Sequence, residues 1–212
     1  HNLRAEELLM LNPQGALDSP GHQLIIHIGD SVRACLLLRH GDGFKEALPV
    51  EGGYLAIPIT CERDFRFQSF CRERLGFEQH RFLESNSVIT ERGFLLVHEF
   101  VCAEAGAPPA GATAGEVLQR YPDPLVARTV AYYVEQLMAA AFNLVIATLP
   151  TGGVFFVSDF LLQLLRCVEK DRELFFGNVI ERLILSAHMV EKFACTPVGV
   201  TALTEEKCIK GC

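Results

Sequence analysis

The chain has 212 residues, half of them hydrophobic, and a formal net charge of −7. That length suffices for one sizeable core, or for one lobe of a larger molecule. An isoelectric point near 5.5, with no basic stripe to neutralise phosphates, argues against a nucleic-acid surface.

Leu24–Ile28 (LIIHI) and Ala34–Leu38 (ACLLL) are two short apolar runs rich in strand formers, separated by the polar turn Gly29-Asp30-Ser31. A third strand, Phe44 to Pro49, follows the turn 40–43, so the spacing predicts a three-stranded antiparallel meander. Phe65, Phe70 and Leu75 recur at helical spacing between Cys61 and Gly76, and Val88, Phe94, Leu95 and Phe100 do so between Ser87 and Ala103. Residues 104–123, which include the Gly/Ala/Pro-rich stretch from Ala105 to Gly115, read as a surface loop excursion. A long helix is predicted from Pro124 to Thr148, with Asp123 placed to cap it. The longest apolar run, Ala139 to Leu149, is shorter than the roughly 20 residues that span a bilayer and contains Asn143, so it reads as a buried helix and no transmembrane segment is expected. Gly153 to Ser158 has the continuous apolar character of a central strand covered on both faces. Helices over Asp159 to Glu169 and Asp171 to His188 precede a last strand from Pro197 to Leu203.

The eight cysteines, among them Cys208 and Cys212, sit at irregular spacing without a CxxC pair, as reduced and mostly buried thiols of an intracellular, reducing compartment do. The seven histidines are scattered with no HxxxH or HExxH pair, so no metal site is expected. His1 stands where a Met would begin a chain; a removed targeting peptide, an arbitrary boundary or an unseen start would each account for it.

Three antiparallel strands, helices, a buried strand, helices and a final strand form the plan of the ribonuclease-H-like lobe used by actin and by sugar kinases. With LIIHIGDSVRACLLLR and Leu48-Pro49-Val50-Glu51-Gly52-Gly53-Tyr54 in that order, the chain resembles the large C-terminal lobe of bacterial-type glucokinases, a group also found in trypanosomatid protists. The resemblance implies an α/β fold: a single lobe over residues 1–212, with three antiparallel strands and further strands in a mixed sheet and helices on both faces. The family's small N-terminal lobe, with its first phosphate loop and the aspartate that deprotonates the sugar hydroxyl, has no counterpart in these residues.

The family's GAGTGLG phosphate turn falls on Ile28 to Ala34, so the resemblance makes Gly29 and Ser31 vestigial nucleotide positions, with Ser158 on the adenine side. Glycines serve such turns by admitting φ > 0 and letting N–H groups approach phosphate oxygens. Val32 would resist that geometry by roughly 1–2 kcal/mol. Asp30 would repel a phosphate by roughly 4 kcal/mol at about 4 Å and an effective dielectric near 20. Glu51 matches the family's glutamate for sugar hydroxyls, Gly52 and Gly53 keep the turn, Tyr54 replaces a histidine, and His80 occupies the position of a second sugar-contacting glutamate. Ser158 also reads as an N-cap for the helix that follows it.

From these departures the expectation is a non-catalytic, glucokinase-like structural or interaction subunit: a pseudoenzyme with no cofactor and no small-molecule ligand. Its expected partners are other protein subunits of a larger assembly, because a mean hydropathy of +0.23 is high for an isolated domain and exposed apolar surface invites a partner. The trypanosomatid flavour of the resemblance suggests a mitochondrial assembly. The alternative is a glucokinase fragment, or a split enzyme completed by a separate small lobe.

Overall fold

A computed structural model describes residues 8–41, 43–76, 83–184 and 187–202. Strands β1 (Leu9–Met10), β2 (Gln23–Ile28), β3 (Val32–His40) and β4 (Gly43–Val50) are joined later in the chain by β5 (Gly153–Val157) and β6 (Val198–Thr201). They form one mixed sheet in the order β1-β6-β5-β2-β3-β4. The β2–β3–β4 meander is antiparallel, and β5 lies parallel to both β2 and β6. This is the expected α/β lobe. β2 shows the period-2 pattern of a strand with one covered face: Leu24, Ile26 and Ile28 are buried, while Gln23, Ile25 and His27 are half-buried. Every residue of β5 is buried, as its unbroken apolar run predicts.

The helices are α1 (Glu62–Leu75), α2 (Ser85–Val88), α3 (Glu91–Glu104), α4 (Ala114–Leu118), α5 (Pro124–Thr148), α6 (Asp159–Cys167), α7 (Arg172–Phe176), α8 (Val179–Leu183) and α9 (Ala187–Phe193). Three boundaries differ from the sequence reading. The helix expected over 87–103 breaks after Val88, and α3 restarts where the Thr90 hydroxyl accepts from the Gly93 N–H at 3.2 Å. Within the expected 104–123 loop, Thr113 caps α4, whose Ala114, Val117 and Leu118 are fully buried. The helix expected over 171–188 is interrupted at Gly177 and Asn178, the latter at φ 54°. Leu203, Cys208 and Cys212 lie outside the described residues.

α5 organises the core. Pro124 opens it and the Asp123 carboxylate accepts from the Leu125 N–H at 2.9 Å. By length and composition alone it could cross a membrane, more than residues 139–149 suggested. In this fold Val130, Tyr133, Leu137, Ala141 and Leu144 are instead buried in the continuous core that includes Leu24, Ile26 and Phe156 of the sheet. Its polar face is equally committed. Tyr132 and Gln136 both donate to Asp64 Oδ1, at 3.0 Å each, while Asp64 Oδ2 accepts from the N–H and hydroxyl of Thr60 and the N–H of Cys61. Burial pushes this carboxyl upward, but the donors from Thr60, Tyr132 and Cys61 outweigh it and hold Asp64 below its ordinary range.

His98, buried on α3, lies 3.0 Å from the Thr129 hydroxyl. That hydroxyl donates to the Leu125 carbonyl, so it accepts from Nδ1–H, leaving Nε2 to accept from the Ala110 N–H at 3.5 Å. The imidazole thus ties α3, α5 and the following loop together in its neutral form, and burial pushes its pKa down.

Two stability outcomes follow. Asp64→Ala orphans several donors at once and should cost about 3 kcal/mol, read from urea midpoints at pH 7. The Asp64 contribution is present above the unfolded carboxyl range and disappears as pH falls through its lower folded value, so the gap between wild type and Asp64→Ala should close in acid. His98 has a folded pKa below its unfolded one, so its contribution is complete above the unfolded pKa and is lost as pH falls below it. A His98→Gln variant should therefore show a flatter melting-temperature profile between about pH 7 and 5 than wild type.

Candidate functional site

β4 is two antiparallel steps from β2, so β2, β4 and β5 all run in one direction and their carboxyl ends open on one edge of the sheet. Ligands of α/β sheets collect at that edge, where chain connections rather than ladder bonds occupy the surface. Here the edge carries the turn 29–31 after β2, the turn 51–54 after β4, and Ser158 after β5.

The turn after β2 is tight. Ile28 pairs with Val32, and the Gly29 N–H donates to the Ser31 carbonyl at 3.2 Å. Neither Gly29 nor Val32 has a positive φ, so the strain anticipated for Val32 does not arise. Its N–H donates to Asn86 Oδ1 at 2.7 Å, which occupies a group that a phosphate-cradling turn would offer to its ligand. His27 lies against Gly29 and opposite Arg33 across the ladder. Burial first and Arg33 second lower the His27 pKa, and Asp159 pulls it back up.

β4 ends at Val50, opposite Ala34, so the following chain folds back over β3. Glu51 is exposed, and Gly52 and Gly53 are buried in a short 3-10 turn. Gly52 is wedged against Ala34 and Leu144, each 3.2 Å from where a Cβ would stand. A Cβ on Gly53 would stand 2.5 Å from the Val32 carbonyl oxygen and 2.6 Å from Asn86 Nδ2, and nearer still to Oδ1. Tyr54, which replaces the family histidine, is 66% exposed. It stands on the surface at the end of the turn, where a ring can cover a ligand.

The next segment brings in Glu84 and Asn86, which stand where the family has an S-G-x-G turn and for which the sequence reading expected no site role. The Ile57 N–H donates to the Leu83 carbonyl and the Ser85 N–H to the Leu55 carbonyl, both at 2.9 Å, with an Ala56–Glu84 bridge between them. This short antiparallel zipper sets Glu84 beside the 51–54 turn and inserts Asn86 between that turn and the one after β2. His80 lies outside the described residues. The Ser158 hydroxyl accepts from the Leu161 N–H at 3.3 Å and caps α6, which is the local role its position suggested.

A carboxylate, two side-chain-free residues, an exposed aromatic ring and an amide thus gather at the carboxyl edge of the mixed sheet. The chain belongs to the glucokinase family: the family model described as Glucokinase matches residues 1–179. A glucokinase of Pseudomonas paraeruginosa is 31% identical over 155 residues, covering 72% of this chain and 44% of the relative. The chain therefore spans less than half the length of that curated protein. Among solved structures, glucokinase from an Antarctic psychrotroph superposes with a TM-score of 0.73 at 17% identity, over 95% of this chain and 60% of the other. Glucokinase from Balamuthia mandrillaris in complex with glucose gives 0.71 at 18%, over 87% and 51%. At those identities the structures establish the fold. The expectation of a non-enzyme is overturned: the family match and the relatives named as glucokinases point to a sugar kinase.

Because the backbone at Gly53 touches both Val32 and Asn86, Gly53→Ala should force the turn outward at a cost of about 1–3 kcal/mol, measured by urea denaturation. At Gly41 a Cβ meets nothing within 4 Å, and only the positive φ of 39° opposes the same substitution.

Proposed function

We propose that this chain is the hexose-binding lobe of a glucokinase-type phosphotransferase, which transfers the γ-phosphoryl group of ATP to a glucose-like hexose. The observation that carries the reading is the Glu51-Gly52-Gly53 turn, buried at its glycines and exposed at its carboxylate, in a chain of the glucokinase family. Glu51 presents two acceptor oxygens to neighbouring sugar hydroxyls, an arrangement in which each charge-assisted hydrogen bond is stronger than a neutral one. Tyr54 offers an apolar ring face beside it. Buried glycines beneath the turn hold the carboxylate in place without a flexible side chain below it.

Phosphoryl transfer is positioning and charge stabilisation around an in-line attack. In this reading the lobe supplies the sugar's position. The Val32 N–H is taken by Asn86 and Asp30 sets a negative charge in the turn after β2, so phosphate contacts fall chiefly to a second lobe. The same second lobe supplies the aspartate that removes the proton from the attacking hydroxyl, as the resemblance implies. Glucose binding is then separable from catalysis and can be read on this chain alone.

Isothermal titration of the chain with glucose tests the reading. Wild type should bind in the millimolar range, and Glu51→Ala should weaken binding at least about tenfold, equivalent to about 1.4 kcal/mol. Absence of any heat or saturation-transfer signal from glucose at tens of millimolar, about the weakest affinity such a titration resolves, would contradict it.

A further inference from the structure

We propose that Asn86 is a positioning residue for hexose binding, a strut that fixes the Glu51-Gly52-Gly53 turn against the first residue of β3. The inference rests on the hexose-binding reading above and adds a residue to it. Asn86 lies 54 residues from Val32 in sequence, yet its Oδ1 accepts from the Val32 N–H at 2.7 Å. This bond fixes which end of the amide faces the strand. Both ends of the amide crowd Gly53, Nδ2 at 2.6 Å from where a Cβ would project and Oδ1 nearer still.

Three groups therefore close on one point: the Val32 peptide, the Asn86 amide and the side-chain-free backbone of Gly53. The strut is itself held at both ends of its segment. Upstream, the Ser85 N–H and hydroxyl both donate to the Leu55 carbonyl, at 2.9 and 3.1 Å. Downstream, the Thr90 hydroxyl donates to the Asn86 carbonyl at 3.3 Å before α3 begins. Asn86 is thus anchored by backbone contacts on each side, and its side chain bridges the two turns.

Glu51 stands two residues before Gly53, so the direction of its carboxylate depends on where Gly53 rests. Removing the strut frees the turn to shift, and a carboxylate displaced by about 1 Å loses paired contacts with hydroxyls whose positions the hexose ring fixes. The effect of Asn86 on the sugar is indirect. Only its acceptor oxygen is engaged with Val32, so an aspartate at the same position supplies the same acceptor with the same reach.

The test is glucose titration of the whole chain, with melting temperatures recorded alongside, for wild type, Asn86→Ala, Asn86→Gln and Asn86→Asp. Asn86→Gln keeps the amide but displaces its oxygen by one methylene, so it reports on the strut should Asn86→Ala fail to fold. The expected result is a loss of tenfold or more in glucose affinity for Ala and Gln, with affinity restored to within about threefold of wild type by Asp. That rescue is the readout that a general loss of stability would not produce. Glucose affinities of Ala and Gln equal to wild type would overturn the inference while leaving the hexose reading intact. Equal losses for Asp and Ala would overturn it too, because the amide nitrogen rather than the acceptor would then be the operative atom. A wild-type chain that binds no glucose would instead contradict the hexose reading itself.

Discussion

The site depends on one crowded contact, in which the Val32 peptide, the Asn86 amide and the Gly53 backbone leave no room for a Cβ. Such a contact is sensitive to small changes because packed interiors do not deform continuously. It joins three separate stretches of chain: the start of β3, the turn after β4, and α2. Each stretch is fixed elsewhere by ordinary forces, namely ladder bonds to β2, packing against Leu144 of α5, and the zipper between 55–57 and 83–85. The contact converts three independently folded pieces into one surface that carries the exposed carboxylates of Asp30 and Glu51.

The scaffold behind that surface follows from burial. α5 puts its apolar face into the core it shares with the strands, and its buried Thr129, Tyr132 and Gln136 reach His98 and Asp64 rather than water. Both ionisable groups are hydrogen-bonded on every side that the helices present, which is how a core accommodates them without a large desolvation loss. The parallel pairing of β2 with β5 then determines which edge carries the turns. Architecture and site are linked through strand direction: the meander returns β4 to the same sense as β2, so the sugar turn and the turn after β2 must emerge together.

Much of the scaffold was legible in the sequence, because period-2 and period-3.6 patterns are local. β2, β5, α1 and α5 appear where their apolar spacing put them, and Asp123-Pro124 and Ser158 cap the helices they announced. Other features carried signals that went unread: Thr113 with Glu116 three residues later is a capping-box pattern, and Gly177-Asn178 is a helix stop. β1 was not legible, since two residues have no periodicity and exist as a strand only by pairing Leu9 with Val200. Asn86 was hidden for the same reason. A bond to a residue 54 positions away leaves no trace in local spacing. The motif reading located Glu51, Gly52 and Gly53 but weighed missing glycines as lost chemistry; the family match and the relatives' names turn that inference toward a sugar kinase.

The central claim is that the turns after β2 and β4 act as one hexose-binding unit. Two-dimensional amide NMR during a glucose titration tests it most directly. The account predicts that the amide signals of Val32, Gly52, Gly53 and Tyr54 and the side-chain amide of Asn86 move together along one saturable curve. Glucose-dependent shifts confined to other elements, such as α7 and α8, or no shifts at saturating glucose, would contradict it.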